Sequence, residues 1–511
     1  MSTSRACGML MAASALLPAG VACRPAPDEG PAVQVLTPAV PTRLDPYRDP
    51  RFACENVFLN VFEPLVDTDS EDRLVPALAE SWGNPEPNVY VFRLREGVRF
   101  HDGAPLGPQA VVEAFGRARR EGHFVAGGLA DVLAIEVRDA RTLAFRTARP
   151  MPDLVFALAN VAVTRPGPDP VRQVGTGPYE VEEFDPGESV RLRRFERYRG
   201  ARPFVREASF RRFADLAAAR RMLSAEPLTL VLDPPRGLVD DARGRPDLEV
   251  ARQPGTTLVY LAFDLRPGST RNRPLRDRRV RAAVHVALDR EALMAAAAPL
   301  GSGAPVSQLV PPGVFGFDPD RPPVTRDLPR ARALLAAAGY AAGFEVQLDT
   351  SLSYEPVAAT LASQLAEVGL RVRVNPMPSD DFVALIEGGS DFYMYGWVSG
   401  LESAKSLRSF LHSKDAAGGR GLRNRTGYSD PEVDALLEAA VGAPSSHERL
   451  PLLRRATDRL MHDLPWVPLF VPDTARIHPR ALGIRIHSDG LLRLADCWPR
   501  RPSSPTPGAG R

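Results

Sequence analysis

The run Asp327-Leu328-Pro329-Arg330-Ala331-Arg332-Ala333-Leu334-Leu335-Ala336-Ala337-Ala338-Gly339 reads as an Ala/Leu helix with glycine where a C-terminal cap belongs. Phe344-Glu345-Val346-Gln347-Leu348 follows as a strand. A second helix is expected over residues 357–368, stopped by Gly369, and then the strand Leu370-Arg371-Val372-Arg373-Val374. Strand, helix and strand in that order imply right-handed crossovers and a partly parallel sheet. The same alternation extends outward through the chain. Val33-Gln34-Val35-Leu36 reads as a first strand, and residues 89–94 and 143–146 alternate as half-buried strands. Pro108 opens a helix whose apolar positions are Ala110, Val111, Ala114 and Phe115. The class is α/β or α+β. No short-period repeat is visible, and 511 residues should divide into two or three domains.

The composition is that of a globular protein, 44% apolar and 25% charged with a net charge of +2. No basic excess asks for nucleic acid. Arginine supplies nearly all the positive charge, since Lys405 and Lys414 are the only lysines. At the N-terminus, Arg5 precedes an apolar run over 6–17 and then Pro18-Ala19-Gly20-Val21-Ala22-Cys23. A basic start, a short apolar stretch and small residues before a cut make an export signal over 1–22. Cysteine at the cut resembles a bacterial lipobox, which implies acylation of Cys23 and a membrane-held N-terminus. Gly20 stands where a larger aliphatic residue is usual, and plain cleavage is the alternative. Residues 23–31 then form a Pro-rich tether, and 500–511 a Pro/Ser/Gly-rich disordered tail. No other apolar stretch approaches the ~20 residues of a membrane span. Cys7 leaves with the signal, so Cys54 and Cys497 remain, either as a disulfide or as two buried thiols.

Catalytic motifs are absent. No Gly-x-Ser-x-Gly elbow, His-Glu-x-x-His, phosphate loop or Cys-x-x-Cys pair occurs. The eight histidines are scattered, with His101 at a turn and His412 in a loop, and no metal site or cofactor is expected. Glu182-Glu183 and Asp380-Asp381 read as surface charge. The expectation is a protein that is not an enzyme.

Several segments, in order over about residues 35–490, resemble the family 5 extracellular solute-binding proteins of oligopeptide, dipeptide and nickel importers. They include Leu44-Asp45-Pro46, Val61-Phe62-Glu63-Pro64-Leu65-Val66 and Pro76-Ala77-Leu78-Ala79-Glu80-Ser81-Trp82. The last runs on through residues 90–103 to His101-Asp102-Gly103. Gly175-Thr176-Gly177-Pro178-Tyr179, Val280-Arg281-Ala282-Ala283, Tyr428-Ser429-Asp430-Pro431 and Asp463-Leu464-Pro465-Trp466 complete the set. Physically these read as framework. Residues 175–178 form a chain reversal needing positive-φ glycines, and 280–287 an amphipathic helix with Arg279, Arg281, Asp289 and Arg290 around its apolar face.

The resemblance implies a two-lobed periplasmic-binding-protein-like fold, type II and cluster C-like, with an extra subdomain in the first lobe. Lobe I would hold 32–264 plus 475–499, with 65–174 inserted, and lobe II would hold 265–474. Crossings are expected near 260–265 and 471–476, with ligand between lobes that hinge shut. The partners implied are a small peptide or peptide-like ligand, the permease subunits of an ATP-binding-cassette importer, and a membrane through the N-terminal lipid. A monomeric lipoprotein, periplasmic or on the cell surface, is expected. A nickel or metal-chelate receptor and a sensor without a transporter are the alternatives.

Ligand specificity is expected in Asp391-Phe392-Tyr393-Met394-Tyr395-Gly396-Trp397-Val398-Ser399-Gly400, which resembles the family strand ending in Gly-Trp at the cleft. Trp397, Tyr395, Ser399, Gly400 and Glu402 are the candidate ligand-binding residues. Peptide binders of the family place an aspartate where Gly400 stands, so Glu402 becomes the candidate anchor for a ligand ammonium. Core packing is the competing account of Trp397.

Overall fold

The computed structural model describes residues 30–500 apart from 50, 70–72, 122–128, 130, 152–153, 168, 170, 267–272, 298–299, 399–402, 417–418, 444, 486 and 488–489. Two large sheets organise it. The first has seven strands in the order Tyr179–Asp185, Ser189–Arg194, Glu207–Arg212, Ala32–Thr37, Thr229–Leu232, Thr474–Pro479 and Leu248–Gln253. Ala32–Thr37 runs parallel to both of its neighbours. The second has six, ordered Gly303–Pro305, Trp466–Pro472, Thr257–Phe263, Phe392–Val398, Phe344–Ser351 and Leu370–Met377. A four-stranded antiparallel sheet built from Ala79–Glu86, Val89–Leu94, Thr142–Thr147 and Val132–Val137 forms the subdomain inserted in the first lobe.

The 327–374 region forms as its periodicity predicts. The helix Leu328–Ala337 is capped by the Asp327 carboxylate, which accepts from the Arg330 N–H. The strands Phe344–Ser351 and Leu370–Met377 pair in parallel on either side of the helix Glu355–Ala366. Gly339 and Gly369, at φ +88° and +90°, reverse the chain after the two helices.

Each lobe keeps its own interior. In lobe II one sheet face packs against helices Arg278–Ala287, Leu328–Ala337 and Glu355–Ala366. The other packs against Ser403–Leu411, Pro431–Gly442 and Ser446–Asp463. Two of the arginines expected around the 280–287 helix are buried instead. Arg281 donates to the carbonyls of Asp463 and Leu464 at 2.5–3.1 Å, and Arg290 donates to the Pro468 carbonyl and to His285. Both guanidiniums satisfy main-chain carbonyls that the lobe interior would otherwise strand.

Two further expectations change, and the alternative left open for the cysteines is decided. The first crossing is not at 260–265, because Thr257–Phe263 is an interior strand of the lobe II sheet and its last six residues are buried. Both of its faces are covered, which accounts for its continuous apolar run; the chain changes lobe over residues 254–256. The glycines of 175–178 lack positive φ. They are needed for closeness, since a Cβ on Gly175 would fall 2.0 Å from the Val61 carbonyl oxygen, and one on Gly177 would fall 2.7 Å from it. Cys54 and Cys497 are free thiols buried in the same lobe I core. Burial pushes each up to about 12, so both are protonated and behave as small apolar groups.

Candidate ligand cleft at the hinge

Only short segments join the lobes. Pro254-Gly255-Thr256 leads from Leu248–Gln253 into Thr257–Phe263, and Asp473 alone separates Trp466–Pro472 from Thr474–Pro479. The two crossings touch. A Cβ on Gly255 would lie 2.1 Å from the Pro472 carbonyl oxygen, so only glycine permits this approach. Asp473 is buried, and its carboxylate accepts from Ser302 Oγ of lobe II at 2.8 Å and Arg252 Nε of lobe I at 2.5 Å. The crossing residue is therefore fixed to both bodies.

Beside the crossings a narrow cleft opens. Its lining includes Asp233 and Arg476 from lobe I, Thr256 and Thr474 from the crossing segments, and Val398 from lobe II. Arg476 is buried and donates to the Gly490 carbonyl. Asp233 is exposed, at φ +46°. Desolvation by the neighbouring protein raises its carboxyl pKa, opposed by the Arg476 charge.

The lobes also meet through charge away from the crossings. Arg149 of the inserted subdomain lies 3.5 Å from Glu438 of the lobe II helix Pro431–Gly442 and 2.9 Å from Asp131. Glu438 is shared with Arg408 and Arg420.

The residues expected to read the ligand divide. Trp397 is only 7% exposed and packs into lobe II, its ring 5.4 Å from Phe410 and 5.8 Å from Trp466. Strand alternation is the cause: positions 393, 395 and 397 share the face under helices Ser403–Leu411 and Pro431–Gly442. Tyr395 is half-buried against Phe382, with the Arg425 guanidinium 5.9 Å above its ring. Val398, 40% exposed, is the residue of this strand that reaches the cleft. Ser399, Gly400 and Glu402 lie outside the described residues, as does Cys23.

His101 is framework, its Nε2 3.0 Å from the Gly177 carbonyl and its ring edge-on to Phe195. His412 is buried and bonded to the Ser413 carbonyl at 2.7 Å. Among the described residues no group of three or more His, Cys, Asp or Glu could hold a metal. Asp233 escaped the sequence reading. Its available signal was a carboxylate ending the apolar run Leu230-Val231-Leu232 before Pro234-Pro235.

Solved structures share this fold. The periplasmic binding protein DppA from Helicobacter pylori, solved with the peptide STSA, superposes with a TM-score of 0.79. It is 20% identical, and the match covers 93% of this chain and 99% of that one. NikA from Staphylococcus aureus, solved with Ni(L-His)2, gives 0.78 at 18% identity, over 92% of this chain and all of that one. The glutathione-binding protein GsiB of Escherichia coli K12 is 26% identical over 463 residues, 86% of this chain and 89% of its own. Residues 73–418 match the model of bacterial extracellular solute-binding proteins, family 5. With two lobes joined at paired crossings and this match over more than half its length, the chain belongs to that family of non-catalytic, extracytoplasmic solute receptors.

Proposed function

We propose that this protein is the substrate-binding receptor of an ATP-binding-cassette importer and captures a short peptide or glutathione-like solute between its lobes. The observation that carries the reading is the hinge, where, among the described residues, 254–256 and Asp473 are the main-chain links between two separately packed bodies. Ligand bound between such bodies selects the closed form, and the closed form is what a permease can recognise. Val398 and the adjacent Ser399, Gly400 and Glu402 form the lobe II side of the site, with Tyr395 and the aromatic cluster around Trp397 supporting it from behind. The receptor acts as a monomer, acylated at Cys23 and held to the membrane by that lipid.

Native mass spectrometry of protein from its own host identifies the bound solute and separates a peptide from a metal chelate. Glutathione and a panel of di- and tripeptides then test the reading in solution. Binding should lower the radius of gyration and raise the melting temperature, by about 2.7 kcal/mol of stability at a hundredfold excess over Kd. A protein whose scattering and melting ignore every member of the panel is not a peptide receptor. Fatty-acid labelling of wild type but not Cys23→Ala tests the anchor.

A further inference from the structure

Asp233 and Leu464 are the two non-glycine residues with positive φ among the described residues. Leu464 has an ordinary account: it is the left-handed cap of the helix Ser446–Asp463, and its N–H donates to the Leu460 carbonyl. Asp233 caps nothing. The next helix, Arg236–Arg243, has Pro235 at its N-cap position and no side-chain cap bond. Pro234 also follows directly, and a residue before proline favours extended backbone with negative φ. Such a conformation persists only where the surroundings impose it, and it marks positions where a side chain must be aimed.

The aim is into the cleft. Asp233 follows Thr229–Leu232, an interior strand of the lobe I sheet, and its exposed side chain lines the opening beside the crossings. Among the described residues its carboxylate has no hydrogen bond and no ion pair, although Arg476 lines the same cleft. The carboxylate stands open to the cleft without a partner, and the protein around it disfavours its charged form enough to raise its pKa. A ligand bearing a positive nitrogen would restore both solvation and charge balance. A single carboxylate is a poor site for a bare divalent ion, and no cluster of further ligands surrounds it among the described residues.

We infer that Asp233 anchors the terminal ammonium of the ligand from lobe I, in place of the lobe II carboxylate that the Gly400 position lacks. This rests on the reading of the protein as a receptor for peptides with a free amine. Glu402 is thereby relieved of that role.

Calorimetry with glutathione and trialanine, each with its amine free and N-acetylated, tests the anchor. Asp233→Asn should weaken binding of the free-amine forms at least about tenfold, the lower end expected for a hydrogen bond to a charged group, and leave the acetylated forms unchanged. Acetylation should cost wild type a similar factor and cost the variant almost nothing. Asp233→Gly should show the same loss of binding with a higher melting temperature, because glycine takes the positive φ without strain. That second variant separates a lost anchor from a damaged fold. Undiminished binding of free-amine peptides to both variants overturns the anchor and leaves the receptor reading intact. Equal losses for free and acetylated peptides also overturn it, because they assign Asp233 a structural role. Wild-type protein that binds neither peptide removes the peptide reading and the anchor together.

Discussion

The two sides of the cleft are built from opposite materials. On the lobe II side the sheet is backed by a stack of rings: Tyr260 lies on Trp466 at 3.9 Å, Trp397 and Phe410 meet Trp466 edge-on at 5.8 Å, and Tyr395 leans on Phe382. On the lobe I side the lining includes the charged Asp233 and Arg476 and the polar Asn56, beside Leu232 and Ala475. The aromatic side therefore supplies rigidity and the polar side supplies charge. An aromatic-rich strand at a cleft invites a recognition role for every ring, but both faces of this strand are covered and its rings pack into the two lobe II cores.

Trp397→Ala is the severest way to break that contrast. Removing a buried indole from lobe II should cost about 3–5 kcal/mol of stability, measured by urea unfolding. A variant of unchanged stability that has lost ligand binding would move the ring into the cleft and erase the difference between the sides. The next effect is a pH dependence confined to lobe II. His285 is buried and neutral, its Nδ1 facing Arg290 Nη2 at 2.9 Å. Desolvation first, then the charges of Arg290 and Arg330, depress its pKa from 6.5 to about 3. A depressed folded-state pKa means the stabilisation is complete above about pH 6.5 and is lost as pH falls toward 3, at up to about 1.4 kcal/mol per pH unit. His285→Gln keeps an acceptor that does not titrate and should show a shallower slope across that window; an identical slope would refute the assignment.

Gly255→Ala is a smaller perturbation, aimed at the hinge itself. Its Cβ must push the Pro472 carbonyl aside, at about 1–3 kcal/mol, and scattering of the ligand-free protein should report altered lobe spacing. Unchanged stability and scattering would show that the crossings are not in tight contact. The smallest expected effect is none: dithiothreitol should leave the melting temperature where it is, because Cys54 and Cys497 are unbridged. A fall of several degrees would reveal a disulfide.

What could be read before the structure was local. The helices and strands of 327–374 declare themselves through periodicity and through glycines at φ +88° and +90°, all within one stretch of chain. What escaped depends on partners far away. Thr257–Phe263 pairs with Phe392–Val398 and Trp466–Pro472, and only that pairing reveals it as an interior strand rather than a crossing. Gly175 and Gly177 meet Val61 more than a hundred residues earlier, so their need for closeness had no local sign. Asp233 needed a backbone angle and a cleft to become visible, and sequence carries neither.

The contact between Gly255 and Pro472 has a consequence for how the molecule could be taken apart. The chain enters and leaves lobe II at adjacent points, and the two apolar clusters of that lobe run from Leu258 to Val471 without borrowing a residue from outside. Lobe II is thus a cassette spliced into lobe I, with its ends already side by side, the condition under which excision, circular permutation and domain insertion are tolerated. A polypeptide of residues 256–472 should fold alone. Closing residues 253 and 474 with a short linker should leave lobe I a continuous chain, and the receptor could be rebuilt from two separately made halves.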